Sequence, residues 1–164
     1  MDLTNKRILD VCCGGRMTWY QKDREDVLFL DIRRFEERLS NGQTVRVAPD
    51  AIMDFRKLEL PSDAFSLVLF DPPHLSNLGS NSWMAKKYGV LDKETGRQDL
   101  KSGFDECWSV LKKNGVLVVK WSIDTSHASR SMSVSSLLKL FGREPLFGSR
   151  PGSRNTTYWL IFMK

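Results

Sequence analysis

Two stretches of the chain are apolar without a break and then stop at an acid. Val27-Leu28-Phe29-Leu30 runs into Asp31, and Leu67-Val68-Leu69-Phe70 runs into Asp71. A strand with one wet face alternates apolar and polar residues, so unbroken apolar interiors imply a sheet covered on both faces. Such sheets are built from parallel strands joined by crossover helices, which points to an open, doubly wound α/β architecture.

The rest of the chain supplies the other pieces. "KRILDVCC" reads as a first strand ending near Asp10, "DVLFLDI" as a second ending at Asp31, "QTVRVA" as a weaker third, "FSLVLFD" as a fourth and "NGVLVVKW" as a fifth. Between them "MTWYQKDR", "RFEERLS" and "FDECWSVLKK" have helical composition or spacing. Phe104, Cys107, Trp108 and Leu111 fall on one helical face, and Asn114-Gly115 is the expected left-handed close of that helix. "SVSSLLKLF" reads as a further helix. "EPLFGS" and "TTYWLIFM", separated by the turn residues "RPGSRN", read as a terminal hairpin that adds an antiparallel strand. Residues 75–103, a 29-residue stretch rich in Gly, Ser, Asn and Lys, read as a long functional loop. With no repeat and no linker, residues 1–164 are expected to form one domain.

Composition narrows the function classes. Hydrophobic residues at 41% and charged residues at 27% fit a globular chain rather than a disordered or fibrous one. No apolar run is long enough to span a bilayer, and the start lacks a signal-peptide core, so a cytoplasmic location without membrane association is expected. Cys12, Cys13 and Cys107 suit reduced thiols better than a disulfide framework, and no second Cys/His cluster accompanies the adjacent pair, so no metal is expected. Residues 112–164 hold nine Lys or Arg against two acids, a net +7 that leaves −2 for the first 111 residues. A basic portion of this kind is compatible with a phosphate-bearing partner.

Ligands of open α/β sheets bind beyond the carboxyl ends of the strands, and chemically suggestive residues stand at those ends. "DVCCGG" offers Gly14 and Gly15, where the backbone can approach a ligand closely. Asp31, 21 residues after Asp10, is spaced to accept hydrogen bonds from both hydroxyls of a ribose. Arg16, Met17, Thr18 and Trp19 follow the two glycines, so neither the dinucleotide fingerprint nor a P-loop is present. A nucleoside lacking phosphates fits better. Asp54 and Phe55 offer an acceptor for an exocyclic amine and an apolar face for a purine. In Asp71-Pro72-Pro73-His74 the prolines fix φ and hold a rigid elbow. There Asp71 and the Pro72 carbonyl can accept hydrogen bonds from an amino group while the His74 ring stacks on the flat system bearing it. Trp83, Lys86, Lys87 and Tyr88 can stack on a base and meet phosphates, or form a solvated lid with one packed Trp; Lys120 borders the same face. Cys12 and Cys13 read as small buried side chains, and His127 as an exposed loop residue.

Together these residues resemble the class I S-adenosylmethionine-dependent methyltransferases. There the first strand ends in an acid and a Gly-rich loop, the second in a ribose-binding acid, and the fourth in a (D/N/S)-P-P-(Y/F/W/H) tetrapeptide. "DVCCGGRMTWY", "DAIMDFRKLELPSDAFSLVLFDPPHL", "VLVVKW" and "TTYWLIFMK" more narrowly resemble small phage and prophage-type methyltransferases. The resemblance implies a Rossmann-like, mostly parallel seven-stranded sheet with an antiparallel last strand, and S-adenosyl-L-methionine as cofactor. It places Asp10, Cys12, Cys13, Gly14 and Gly15 around the methionine part; Gly14-Gly15-Arg16 departs from the family's commoner Gly-x-Gly, and Arg16 there offers a partner for the cofactor's carboxylate. Asp31 and Ile32 would hold the ribose and adenine edge, Asp54 and Phe55 the adenine, and Asp71 to His74 would face the methyl acceptor. The expected acceptor is an amino nitrogen of a nucleic-acid base in DNA or RNA, adenine N6 first. Alternatives are a protein side-chain amide, a small molecule, or a catalytically silent domain that binds the cofactor or nucleic acid.

Overall fold

A computed structural model describes residues 2–38, 42–76, 79, 82–123, 131–149 and 156–164. In chain order the elements are β1 (Ile8–Asp10), β2 (Val27–Asp31), β3 (Phe35–Arg38), β4 (Thr44–Val47), β5 (Ala51–Ile52), β6 (Phe65–Phe70), α1 (Trp83–Tyr88), α2 (Gly96–Val110), β7 (Leu111–Ser122), α3 (Val134–Phe141), β8 (Phe147–Ser149) and β9 (Thr157–Met163). Seven strands form one sheet in the order β5-β2-β1-β6-β7-β9-β8. Pairings from β5 to β7 are parallel, and β9 runs antiparallel to both of its neighbours. The mostly parallel sheet with an antiparallel last strand is thus what the chain forms. The turn "RPGSRN" lies outside the described residues.

The apolar strand interiors are buried as their sequence requires. Leu28 and Leu30 of β2, Val68 and Phe70 of β6, and Leu117, Val119 and Trp121 of β7 pack into one core with Leu100, Phe104, Cys107 and Val110 of α2 and Leu137 and Phe141 of α3. Val27 and Phe29 point to the other face and pack with Cys13, Ile8 and Trp19 in a smaller cluster. Ser133 caps α3 by accepting a hydrogen bond from the Ser136 amide, and Gly142 closes the helix in the left-handed region.

Several local expectations are corrected. "MTWYQKDR" forms turns rather than a helix. Gly14 and Arg16 both take positive φ, and the Arg16 guanidinium reaches the Lys22 and Ala48 carbonyls and the Asp50 carboxylate while lying 3.8 Å from the centre of the Phe29 ring. These tertiary bonds outweigh a helical composition that is itself weak. In "RFEERLS", Phe35–Arg38 is extended and pairs antiparallel with β4, which contains most of "QTVRVA". That expected third strand therefore lies off the main sheet. The edge position goes to β5, set in place where Asp50 N donates to Phe29 O, Met53 N donates to Asp31 O, and Asp50 Oδ2 accepts from Phe29 N.

Asn114-Gly115 does not close α2, which ends at Val110 with Leu111 already extended and paired to Phe65. The left-handed Asn114 instead lies in the register shift of β7, where the next pairing after Leu111 is Val116 with Leu67.

The stretch 75–103 is not one loop, since it contains α1 and the first turns of α2. Gly96 and Gly103, which suggest loop by composition, are buried on the face of α2 that carries Leu100, Phe104 and Cys107. A Cβ on Gly103 would lie 2.4 Å from Phe55 Cδ2 and 2.8 Å from Phe70 Cζ. Gly103→Ala is therefore expected to destabilise the protein by roughly 1–3 kcal/mol through overpacking, measurable as a lower midpoint in urea denaturation. Unchanged stability would mean that both rings yield freely.

Candidate active site

Successive strands run outward from β1 through β2 to β5, and the chain then returns to β6 on the other side of β1. This is the point at which an open α/β sheet forms a crevice. A cavity of about 880 Å³ opens there, walled by the ends of β1, β2, β6 and β7, the turns after β1, and α1.

The wall after β1 is drawn across its neighbours by Val11 N donating to Leu69 O and Cys13 N to Leu30 O. Asp10, only 2% exposed, accepts from Trp19 Nε1 at 2.7 Å and Cys12 N at 3.3 Å. Burial, with the charges of Asp71 and Asp31 adding to it, pushes its carboxyl up to about 7. Burial likewise raises the Cys12 thiol well above its ordinary value and Cys13 to about 12. Both remain thiols at neutral pH, so they form part of the wall and are not nucleophiles.

Asp31, 4% exposed, is held from two sides. Gly14 N donates to Oδ2 at 3.0 Å, and Arg33 donates from its amide and Nε to Oδ1 and from Nη2 to Oδ2. At the other end Asp71 Oδ2 accepts from Lys120 Nζ at 2.5 Å, and Lys120 Nζ lies 5.8 Å from the centre of the Trp159 ring. Burial raises the Asp71 carboxyl above its usual range, opposed by Lys120, His74 and the Thr18 hydroxyl. The His74 ring meets Trp121 edge-on at 6.1 Å and lies 6.5 Å from Tyr88. Lys87 Nζ sits 5.2 Å from the Tyr88 ring centre and 5.9 Å from that of Trp83.

The fold thus gathers Asp10, Cys12, Cys13, Gly14, Gly15, Asp31, Ile32, Phe55, Asp71, Pro72, Pro73, His74, Lys87, Tyr88 and Lys120 around one cavity. Four other sequence candidates lie outside its wall. Arg16 is engaged with Asp50, and Asp54 is bound by the Arg56 guanidinium through both oxygens. Lys86 pairs with Glu37 beside a neighbouring cavity, and Trp83 stands half-exposed at the start of α1. His127 is outside the described residues. Thr18, Trp19, Tyr20, Arg33, Ser122, Thr157 and Trp159 also line the cavity, although the sequence assigned none of them a role. Strand register locates some of them, since Lys120 pairs with Trp159 and Ser122 with Thr157. Among the described residues no group of His, Cys, Asp and Glu is arranged to hold a metal ion, and no helix is long and apolar enough to cross a membrane.

No family profile and no curated protein sequence matches the chain. Solved structures do. A crystal structure of a Pyrococcus horikoshii OT3 protein aligns with a TM-score of 0.59 at 14% identity, over 98% of this chain and 83% of that one. An S-adenosylmethionine-dependent methyltransferase from Mesorhizobium loti aligns with 0.52 at 12% identity, over 100% and 93%. The [4+2]-cyclase SpnF aligns with 0.53 at 15% identity, over 92% and 56%. The chain has the Rossmann-like fold of the class I methyltransferases. One of these three similar proteins is described as a cyclase, so function has to be argued from the site rather than from the fold.

Proposed function

We propose that the protein is an S-adenosylmethionine-dependent methyltransferase acting on an exocyclic amino nitrogen of a nucleic-acid base, adenine N6 first. The observation that carries this reading is the rigid Asp71-Pro72-Pro73-His74 elbow, its acid held by Lys120, facing the cavity that Asp10 and Asp31 share. The cavity suits the cofactor. Its volume matches a ligand of that size, Gly14 takes a φ of +48° beside Asp31, and Asp10 keeps a buried carboxylate toward which an ammonium group is attracted. Asp10, Cys12, Cys13, Gly14 and Gly15 would surround the methionine part, with Asp31, Ile32 and Phe55 at the nucleoside. When bound, S-adenosylmethionine supplies an electrophilic methyl carbon on its sulfonium.

The chain's own residues do the positioning. Asp71 and the Pro72 carbonyl accept the two N–H bonds of the acceptor, which directs its lone pair toward the cofactor end, and His74 stacks on the ring. Lys120 already balances the Asp71 charge at 2.5 Å, and Lys87 adds a second cation at the mouth. A cationic aliphatic amine is therefore repelled, whereas a neutral planar amine is accepted. A protein side-chain amide shares that chemistry. The exposed Trp83, Tyr88 and Tyr20 and the basic residues of 112–164 favour a base carried on a phosphate backbone. The small phage and prophage-type methyltransferases, and a cytoplasmic location, fit the same reading.

Transfer of a labelled methyl group to oligonucleotides tests it. Single-stranded DNA or RNA containing adenine should be labelled faster than duplex, because no base has to be flipped out. Tyr88→Ala should raise KM about tenfold with a smaller change in kcat, as expected for a lost stacking contact. Labelling of protein or free amine but of no oligonucleotide would overturn the nucleic-acid assignment.

A further inference from the structure

We propose that Arg33 is an internal competitor for the nucleoside end of the cavity, and that displacing it also unlatches α1. The inference rests on the reading of Asp31 as a ribose acceptor, and it concerns what has to leave before a ribose can be bound.

A carboxylate oxygen has two lone pairs to offer. On Asp31, Oδ1 accepts from Arg33 N at 2.9 Å and Arg33 Nε at 3.0 Å, while Oδ2 accepts from Gly14 N at 3.0 Å and Arg33 Nη2 at 3.2 Å. All four positions are filled by the protein itself, and the carboxylate is almost wholly buried. Two ribose hydroxyls can bind only where Nε and Nη2 now donate. The remaining guanidinium nitrogen, Nη1, donates at 3.0 Å to the carbonyl of Lys86 in the last turn of α1. One side chain therefore spans from the ribose acid to the helix that carries Lys87 and Tyr88.

The guanidinium also has somewhere to go. Arg33 lines both the main cavity and a neighbouring one of about 350 Å³, on whose wall stands Glu37. Glu37 now pairs with Lys86 across the same gap, its side chain 46% exposed. A swing of Arg33 away from Asp31 exchanges one carboxylate partner for another and withdraws the Nη1 bond from α1. By linkage, a ligand on Asp31 and the docked position of α1 oppose each other through this residue. The rim that meets the acceptor thereby responds to occupancy of the cofactor end.

The test combines calorimetry and hydrogen exchange on the whole chain, with S-adenosylhomocysteine as the probe. R33M removes the competitor and should bind the probe about tenfold more tightly than the natural protein. In the natural protein the probe should speed amide exchange in residues 83–90. In R33M that segment should exchange fast with or without the probe. R33K keeps a cation for Asp31 but cannot also reach the Lys86 carbonyl, so it should show fast exchange in 83–90 without ligand. R33K therefore decides the matter if R33M, which leaves a buried carboxylate unpaired, fails to fold. Binding by the natural protein with no gain in R33M, or slow exchange of 83–90 in ligand-free R33K, overturns the proposal and leaves the cavity reading intact. Failure of the folded natural protein and of R33M to bind the probe at all overturns the reading of Asp31 and this inference with it.

Discussion

Asp71→Ala is expected to lower methyl transfer by about a hundredfold or more while leaving the affinity for S-adenosylhomocysteine within about threefold. Asp71 lies at the Lys120 end of the cavity, and in the proposed role its hydrogen bond to the acceptor would count only while an amine is being oriented. Positioning of this kind supplies several kcal/mol of a transfer barrier, so its loss appears in kcat rather than in cofactor binding. Asp71→Asn should cost less, because its side-chain carbonyl can still accept an N–H of the amine, as the Asn allowed at this position of the (D/N/S)-P-P tetrapeptide would. Lys120→Met separates the two halves of the pair. It leaves the Asp71 carboxyl, already raised by burial, without its principal stabilising cation, so its titration moves further up and the acid limb of the activity profile should shift to higher pH than in the natural protein. Single-turnover transfer across pH 6 to 9 measures both effects. An Asp71→Ala protein that retains the full rate would make the tetrapeptide a rigid turn. A biological effect that survives Asp71→Ala intact, in a protein that still binds the ligand, would favour the catalytically silent alternative.

How much of this was legible in the sequence depends on how local each cause is. Val27 to Leu30 and Leu67 to Phe70 declare buried strands because nothing but burial on both faces suits them, and the acids that follow fall where those strands end. Asp10, Asp31 and Asp71 can therefore be placed together at the carboxyl ends of the strands from the sequence alone. The terminal hairpin was legible from its punctuation, since the turn residues 150–155 separate "EPLFGS" from the mostly apolar β9. What escaped was set by contacts distant in sequence. Residues 17–24 have helical composition, yet Trp19 turns its indole into Asp10 and Arg16 is held by Ala48 and Asp50 from beyond β2. Gly96 and Gly103 looked like loop because a glycine's usual meaning is flexibility. Here each marks a close approach, to Leu91 in one case and to Phe55 and Phe70 in the other.

The same distinction runs through the site. Gly14, Gly15 and the proline elbow announce themselves by residue type. Arg33 does not, because its role follows from three donors pointing at Asp31 and one at a carbonyl 53 positions away. Asp54 illustrates the converse. An acid after a strand reads as a ligand group, but Arg56 two residues later folds back on it and draws it out of the cavity wall.

The affinity for S-adenosylhomocysteine should rise about twentyfold between pH 5.5 and pH 7.5, with proton release on binding, and Asp10 is the reason. Its carboxyl is held up to about 7 chiefly by burial, against about 3.9 for an unperturbed aspartate. Below that value the buried group is neutral and offers no charge to a ligand's ammonium; above it the charge is present and uncompensated. An ammonium group brought alongside favours the ionised form and pulls the carboxyl well below 7, so binding strengthens as pH rises through the free value. Stability runs the opposite way. Because the folded chain holds this proton between about pH 4 and 7 and the unfolded chain does not, the contribution of Asp10 is complete below about pH 4. It is lost as pH rises through 7, by up to about 4 kcal/mol over that span. Calorimetry in buffers of different ionisation enthalpy counts the released protons, and Asp10→Asn should abolish both the release and the pH dependence. A flat affinity between pH 5.5 and 7.5 in the natural protein would mean that the ammonium group is received elsewhere. The buried charge at Asp10 would then serve only to orient Trp19 and the Cys12 amide.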